Sequence, residues 1–174
     1  MKLAVIGSNM VDLTAYIHHM PAPGETLEAP DFSISCGGKG ANQAVAAALC
    51  GAEAMMVSKV GSDLFADNTI ENLKTFGIDT RYVTKASDAS SGIASIFVDE
   101  SGQNRILIVK GANDSLAPTD IDAAETELKA CAMIILQLEV PLATVYHAID
   151  FGRTHGVPVL LNPAPATKAL DITK

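Results

Sequence analysis

The 174-residue sequence predicts an α/β fold, a doubly wound and mainly parallel sheet with helices on both faces and a small separate β unit. Short apolar runs alternate along the chain with segments of helical periodicity, which is typical of a sheet built from βα units. The apolar runs are nearly continuous, as in strands that are covered on both faces. Two extended segments fall outside this alternation, and they predict the separate β unit.

Each element of the main sheet has its own local signal. Gly51, Gly77 and Gly156 directly follow helical segments and can end them in a left-handed conformation. Pro118 and Pro141 each fit the first turn of a helix. In chain order, the predicted elements are a strand at Lys2–Ile6, a helix at Asn42–Cys50, a strand at Ala54–Val60, a helix with Ile70, Leu73 and Phe76 on one face, a helix with Ile121, Ala124 and Leu128 on one face, a strand at Ala132–Leu136, a helix with Leu142, Val145 and Ile149 inward, and a strand at Val157–Leu161.

The separate β unit is predicted from two segments. Residues 14–36 are extended and interrupted by prolines, so they do not fit a helix of the main fold. Strands at Ser95–Asp99 and Arg105–Val109 flank the turn-forming ESGQ, which predicts a hairpin within residues 92–109. Extended segments that leave the main sheet can pair with each other, so we expect a small second sheet.

Composition excludes several classes of partner. The formal net charge is −8 and Lys and Arg form no cluster, which argues against nucleic-acid binding. No apolar run approaches the roughly 20 residues of a membrane helix, and MKLAVIG lacks the apolar length of a secretory signal. Cys36, Cys50 and Cys131 are far apart and odd in number, as in a reducing compartment. We expect a cytoplasmic protein without membrane or nucleic-acid partners.

The last predicted strand is followed closely by NPAPA and a short polar tail. A parallel strand of this kind usually has neighbours on both sides, and without them it would expose apolar surface. We therefore expect residues 1–174 to be the N-terminal part of a longer protein.

Polar residues follow the strands at the positions where open parallel sheets bind ligands, beyond the carboxyl ends. Asp12 follows the first strand, Glu139 lies in the QLE that follows Leu136, and Asn162 follows the last strand. The stretch Gly37–Asn42 precedes a helix, whose first N–H groups lack partners within the helix. We expect these four segments to converge on one edge of the sheet.

The GGKG turn before that helix has two interpretations. It could bind a ligand, because glycines allow close backbone approach, the helix dipole adds positive charge, and Lys39 and Asn42 add donors. It could equally be only a tight strand-to-helix turn. A P-loop is excluded because Gly40, not Ser or Thr, follows the lysine, and a dinucleotide fingerprint is excluded because GSNMVD follows the first strand.

Asp12 and Glu139 also leave two interpretations open. Either carboxylate could be a helix cap or a solvated loop charge. Alternatively, each could accept two charge-assisted hydrogen bonds from the neighbouring hydroxyls of a sugar. The four histidines show no metal-ligand spacing, so they are interpreted as surface or structural residues, and no metal site is predicted in this chain.

One long motif identifies a family. The run GGKGANQAVAAALCG, followed after nine residues by Gly61, resembles the first signature of the ribokinase-like carbohydrate kinases. GSNMVD, PAPGET, SKVGSD, IVKGAND, QLE and NPAPA accompany it, in the order seen in ribokinases. The resemblance implies a doubly wound α/β domain with a small β lid, matched here by segments at about 14–36 and 92–109, and a homodimer contact through that lid.

The resemblance also implies a site and a reaction. The reaction is transfer of the ATP γ-phosphate to the primary hydroxyl of a pentose, with D-ribose converted to D-ribose 5-phosphate as the first expectation. The substrate-binding residues that it implies are Met10, Val11, Asp12, Gly38, Lys39, Gly40, Ala41, Asn42 and Glu139.

This sequence departs from the family pattern at two places. Some ribokinases have Asn two residues before the loop aspartate, where Met10 stands here. The G-A-G-D turn that carries the catalytic base is absent, because GAND at Gly111–Asp114 belongs to the IVKGAND segment. We therefore expect the base and the ATP, Mg²⁺ and K⁺ sites in an absent C-terminal half, and no kinase activity from residues 1–174 alone. The alternatives are a non-catalytic sugar-binding or partner-binding module, or a kinase for another sugar or a nucleoside.

Overall fold

The computed structural model describes residues 1–171 and 173. Its elements alternate between two sheets and the helices that cover them. In chain order they are β1 (Lys2–Ile6), β2 (Met10–Tyr16), β3 (Asp31–Gly37), α1 (Lys39–Leu49), β4 (Glu53–Val60), α2 (Leu64–Thr75), β5 (Asp79–Lys85), β6 (Gly92–Val98), β7 (Asn104–Val109), a 3₁₀ helix (Gly111–Ser115), α3 (Pro118–Ala123), α4 (Glu125–Lys129), β8 (Met133–Leu136), α5 (Leu142–His155) and β9 (Val159–Leu161).

The larger sheet, here called the core sheet, has five strands in the order β5-β4-β1-β8-β9. Every neighbouring pair in it is parallel. The chain first adds strands on one side of β1 and then returns to add β8 and β9 on the other side. This reversal places a ligand-binding crevice between the carboxyl ends of β1 and β8. The prediction of a doubly wound α/β fold is confirmed.

Helices cover both faces of the core sheet. Side chains of α1 and α2 pack with Val5 and Met56 in one apolar core. Side chains of α3, α4 and α5 pack with Ile6, Val57 and Ile134 in the other. Successive residues of β1 and β4 thus point into opposite cores, which explains why these strands are apolar without alternation.

The smaller sheet, here called the lid sheet, has four strands in the order β3-β2-β6-β7. β2 pairs antiparallel with β3 and parallel with β6, and β6 pairs antiparallel with β7. The predicted second sheet therefore exists, and β6 and β7 lie within the predicted segment 92–109, although β6 begins at Gly92 rather than at Ser95. The first predicted segment, 14–36, starts too late, because β2 begins at Met10.

Three elements differ from the sequence prediction. α1 begins at Lys39 rather than Asn42, because side chains from elsewhere in the fold bind its first N–H groups. The strand β5, with sequence DTRYVTK, has no continuous apolar run, since it lies at an edge of the core sheet and is mostly polar. The predicted single helix after Pro118 breaks at Ala124 into α3 and α4. Within the described residues, no helix is long and apolar enough to cross a membrane.

Candidate functional site

A cavity of about 160 Å³ lies where the lid sheet meets the carboxyl edge of the core sheet. It opens between the start of α1 and the inner face of the lid sheet. Residues from both sheets and from α1 line it: Met10, Asp12, Gly38, Lys39, Asn42, Ala94, Ile96, Ile106, Ile108 and Glu139.

Asp12 reaches this cavity because it lies in β2, where side chains alternate between the two faces of the sheet. The absence of a side chain at Gly37 makes room for its carboxylate, since a Cβ there would lie 2.4 Å from Asp12 Oδ2. Among the described residues, no group donates a hydrogen bond to this half-buried carboxylate. Burial, and to a smaller extent the charge of Glu139, raise the pKa of Asp12. Asp12 therefore offers two acceptor oxygens to a ligand.

Glu139 lines the same cavity, but protein atoms already bind its carboxylate. Its Oε2 accepts hydrogen bonds from Ser8 Oγ at 2.6 Å and from the Lys39 backbone N–H at 2.8 Å. Its Oε1 accepts one from Lys39 Nζ at 2.8 Å. Burial alone would raise the pKa of Glu139, but these hydrogen bonds and the charge of Lys39 outweigh it and lower the pKa. Glu139 is thus held ionised, and it fixes the start of α1.

The first turn of α1 bonds to protein atoms. The N–H of Lys39 donates to Glu139, that of Gly40 donates to Ser8 Oγ at 3.2 Å, and that of Ala41 donates to the Ser8 carbonyl at 2.8 Å. These three N–H groups were expected to point freely toward a ligand. Instead, the side chains of Ser8 and Glu139 replace the helix cap that Gly38 cannot supply.

The glycines of the GGKG turn have separate tasks. Gly38 has a φ of 92°, which L-residues rarely adopt, and it borders the cavity. Gly40 faces the protein, since a Cβ there would lie 2.6 Å from the backbone N and O of Ser8. Close packing of α1 on the β1–β2 loop therefore requires Gly40, whereas Gly38 shapes the wall of the cavity.

An apolar wall lies beside Asp12 on the same face of the lid sheet, and it was not predicted from the sequence. The strand register pairs Asp12 with Ala94, and Ala94 with Ile108, so these side chains share one face of the lid sheet. Ile96 and Ile106 extend the same face. The alternation of side chains within β6 and β7 could have predicted which of their residues share a face. That β6 pairs with β2, which brings this face beside Asp12, is known only from the fold.

The structure brings six of the nine predicted site residues to the cavity: Met10, Asp12, Gly38, Lys39, Asn42 and Glu139. The other three do not line it. Val11 and Ala41 are buried, and Gly40 packs on the β1–β2 loop. Asn162, which was expected at the same edge, lies outside the lining residues.

Other features of the surface lack comparable chemistry. A hollow of about 220 Å³ lies beside α5, and its lining includes His147, Phe151 and His155. It is open to solvent and lies away from the carboxyl edge of the core sheet. Within residues 1–171 and 173, no three His, Cys, Asp or Glu side chains are grouped to hold a metal ion.

Comparisons with known proteins agree with this architecture. The family model described as pfkB family carbohydrate kinase matches residues 1–173. The chain is 61% identical over 173 residues to the deoxyribokinase of Salmonella typhi, covering 99% of this chain and 56% of that protein. It is 44% identical over 169 residues to the ribokinase of Mus musculus, covering 97% and 52%.

A solved structure shows the same fold. The structure of Arabidopsis thaliana ribokinase complexed with ribose and ATP has a TM-score of 0.87 and 30% identity, covering 93% of this chain and 53% of that one. This chain thus spans about half the length of the curated relatives it matches. It belongs to the pfkB family of carbohydrate kinases.

Proposed function

We propose that the whole protein transfers the γ-phosphate of ATP to the primary hydroxyl of a pentose, and that residues 1–174 hold the sugar. The observation that carries the proposal is the half-buried Asp12 carboxylate, which faces a small cavity and has no hydrogen-bond partner among the described residues. A carboxylate in this setting suits a ring hydroxyl of a sugar, since charged acceptors make strong hydrogen bonds. Asn42 adds a donor and an acceptor at the rim.

Positioning is the contribution of these residues to phosphoryl transfer. That reaction depends on alignment of the acceptor hydroxyl and on charge neutralisation at the phosphate. Asp12 orients the sugar, while Glu139 and Ser8 hold α1 at the wall of the cavity. The apolar wall of the lid sheet excludes water from the bound sugar. The catalytic base, the nucleotide site and the Mg²⁺ and K⁺ ligands are assigned to no residue of this chain.

The sugar that we propose is 2-deoxyribose rather than the ribose first expected from the sequence. Met10 lines the cavity with an apolar side chain two positions before Asp12, where some ribokinases have Asn. An apolar contact there favours a CH₂ group over a hydroxyl, which would lose its hydrogen-bond partners on binding. The 61% identity to a protein named deoxyribokinase supports the same choice.

Steady-state kinetics of the whole protein with both sugars test this proposal. We expect kcat/KM to be higher for 2-deoxyribose, by roughly tenfold to hundredfold, the range of one group in an apolar pocket. Met10→Asn should shift the ratio toward ribose, while Met10→Leu, the matched control, should keep it. If neither pentose is phosphorylated, the proposed reaction is wrong. If ribose is preferred and Met10→Asn changes nothing, only the choice of sugar is wrong.

A non-catalytic sugar-binding module is the alternative for residues 1–174 by themselves. No activity is expected from this segment, because we propose that the nucleotide site and the catalytic base lie in the rest of the protein. An ADP-release assay with sugar, ATP and Mg²⁺ tests the segment, and sugar-dependent turnover would show that it contains the catalytic residues.

We also propose that the lid sheet contacts a second copy of the protein. Ile34 and Leu107 both lie on the face of the lid sheet opposite the cavity, and each exposes more than half of its surface, 54% and 68%. These two side chains lie on the opposite edge strands β3 and β7, and exposed apolar edge strands are typical places for a second chain to pack. Sedimentation of the whole protein should give a dimer, and Leu107→Lys should give a monomer.

A further inference from the structure

Asn113 joins the root of the β6–β7 hairpin to the loop between β1 and β2. Its side chain is fully buried. The Oδ1 atom accepts a hydrogen bond from the Asn9 N–H at 2.9 Å, and Nδ2 donates to the Asn9 carbonyl at 3.1 Å. Nδ2 also donates to the Lys110 carbonyl at 2.8 Å, just after the end of β7. One amide thus connects the lid sheet to the loop beside the cavity.

The start of β6 packs directly against the Asn113 side chain. A Cβ at Gly92, the first residue of β6, would lie 2.2 Å from Asn113 Nδ2. The N–H of Ala112 donates to the carbonyl of Ser90 at 2.7 Å, which ties the 3₁₀ helix to the segment before β6. Both ends of the β6–β7 hairpin therefore meet at this one side chain.

Asn9 depends on Asn113 for its position. Both backbone polar groups of Asn9 bond to Asn113, while its own buried side-chain amide has no hydrogen-bond partner among the described residues. On one side of Asn9, Ser8 binds Glu139 and the start of α1. On the other side, Met10 begins β2 and lines the cavity. A shift of Asn9 would therefore move both walls of the cavity.

We propose that Asn113 is a positioning residue for the sugar, coupling the lid sheet to the cavity through Asn9. The inference rests on the proposed function. Only an amide side chain supplies both the acceptor for the Asn9 N–H and the donors for two carbonyl groups. An aspartate would keep the acceptor, but its second oxygen would face the carbonyls of Asn9 and Lys110 without a proton. Movement of the lid sheet is thereby transmitted to Met10 and to the start of α1.

The test compares three variants of the whole protein. Asn113→Ala removes the link, and Asn113→Asp keeps its size while removing the donors. Thr144→Val is the matched control, because Thr144 is buried, does not line the cavity, and donates from Oγ1 to the Leu116 carbonyl at 2.6 Å. Titration calorimetry measures binding of 2-deoxyribose, ribose and a non-hydrolysable ATP analogue separately, and melting temperatures report the loss of stability.

Both Asn113 variants should weaken sugar binding by tenfold or more and leave binding of the ATP analogue within twofold. Thr144→Val should lower the melting temperature by a similar amount without changing sugar binding. The inference is overturned if Asn113→Asp binds sugar like the unmodified protein. It is also overturned if Thr144→Val weakens sugar binding as much as Asn113→Ala, since the effect would then follow stability alone.

Amide hydrogen exchange separates this inference from the proposed function, because it needs no substrate. Asn113→Ala should speed exchange at residues 8–12 and 92–94 at least tenfold relative to β8, and Thr144→Val should not. If the unmodified protein binds no pentose but this pattern appears, the coupling stands and the proposed sugar is wrong. If exchange at these residues is unchanged, Asn113 does not couple them.

Discussion

The strands β8 and β7 have similar apolar sequences and opposite surroundings. β8, with sequence MIIL, lies inside the core sheet, and Ile134 and Leu136 are fully buried. β7, with sequence NRILIV, is the edge of the lid sheet, and every residue in it is exposed. An apolar strand therefore indicates a sheet, while the elements that cover it decide whether its side chains are buried. The core sheet is covered by helices on both faces, and the edge of the lid sheet is left exposed.

The largest expected effect is on the free energy of unfolding, and it comes from a substitution in the core sheet. Ile134→Ala should lower the free energy of unfolding by about 2–5 kcal/mol, because it leaves a cavity in a site packed from both sides. Its counterpart Ile108→Ala should cost less than about 1 kcal/mol, since that side chain is half exposed. Urea unfolding of both variants measures the difference. Equal losses would show that the lid sheet contributes to stability as much as the core sheet.

The next effect concerns the boundary between the two sheets. Asp12→Ala should weaken sugar binding by about 2–4 kcal/mol, because buried hydroxyls lose a charged acceptor. ATP binding and folding should be unaffected. Since the pKa of Asp12 is raised, its ionised form is less favourable in the folded protein than in the unfolded chain. Asp12→Asn should therefore bind sugar poorly while melting no lower than the unmodified protein. Unchanged sugar KM and kcat in Asp12→Ala would contradict the assignment.

A third effect separates shape from charge at the start of α1. Gly40→Ala should lower the free energy of unfolding by about 1–3 kcal/mol, because the new Cβ forces α1 away from the Ser8 backbone. Gly40→Val should damage sugar binding more than Lys39→Ala, which keeps the backbone hydrogen bond to Glu139. Kinetics and unfolding of the three variants decide the order. If Lys39→Ala is the most damaging, charge determines this wall of the cavity.

The smallest expected effect is a dependence on pH. As pH falls through the raised pKa of Asp12, which lies above the ordinary value of 3.8, the carboxylate is protonated and sugar affinity decreases. Glu139 has a lowered pKa, so its contribution to stability is present above its ordinary value of 4.5 and is lost as pH falls further. Sugar binding and the Glu139 contribution to folding should thus both weaken as the pH becomes acidic. Asp12→Asn, the control, should show no such loss of affinity.

Most of the core sheet could be predicted from the sequence because burial on both faces leaves a local signal. The runs that form β1, β4 and β8 are apolar, and Gly51 and Gly156 mark helix ends. The edge strand β5 carries no such run, so it was not predicted. Edge strands need only one side of their backbone paired and only part of their surface covered, so polar residues are tolerated there.

The candidate site could be predicted only in part. That a polar residue follows a strand can be seen from its neighbours in sequence, whereas the residues it contacts come from distant parts of the chain. Asp12 and Glu139 follow strands of one sheet, so their meeting at one edge could be expected. The isoleucine wall depends on the register of β6 with β2, which pairs residues about 80 positions apart, such as Asp12 with Ala94. The bonds from α1 to Ser8 and Glu139 likewise join residues that are 32 and 100 positions apart.

The chain alternates between the strands of the two sheets, and this order limits where the molecule can be divided. It leaves the core sheet after β1, returns at α1, leaves again after β5, and returns at the 3₁₀ helix. Pairing of β1 with β8 joins Leu3 to Met133, so the core sheet closes only after most of these residues are present. Such long-range pairing slows folding. The lid sheet is therefore not a transplantable module. Moving it to another scaffold would require two insertions with matched spacing, and a cut anywhere between β3 and β6 would divide both sheets.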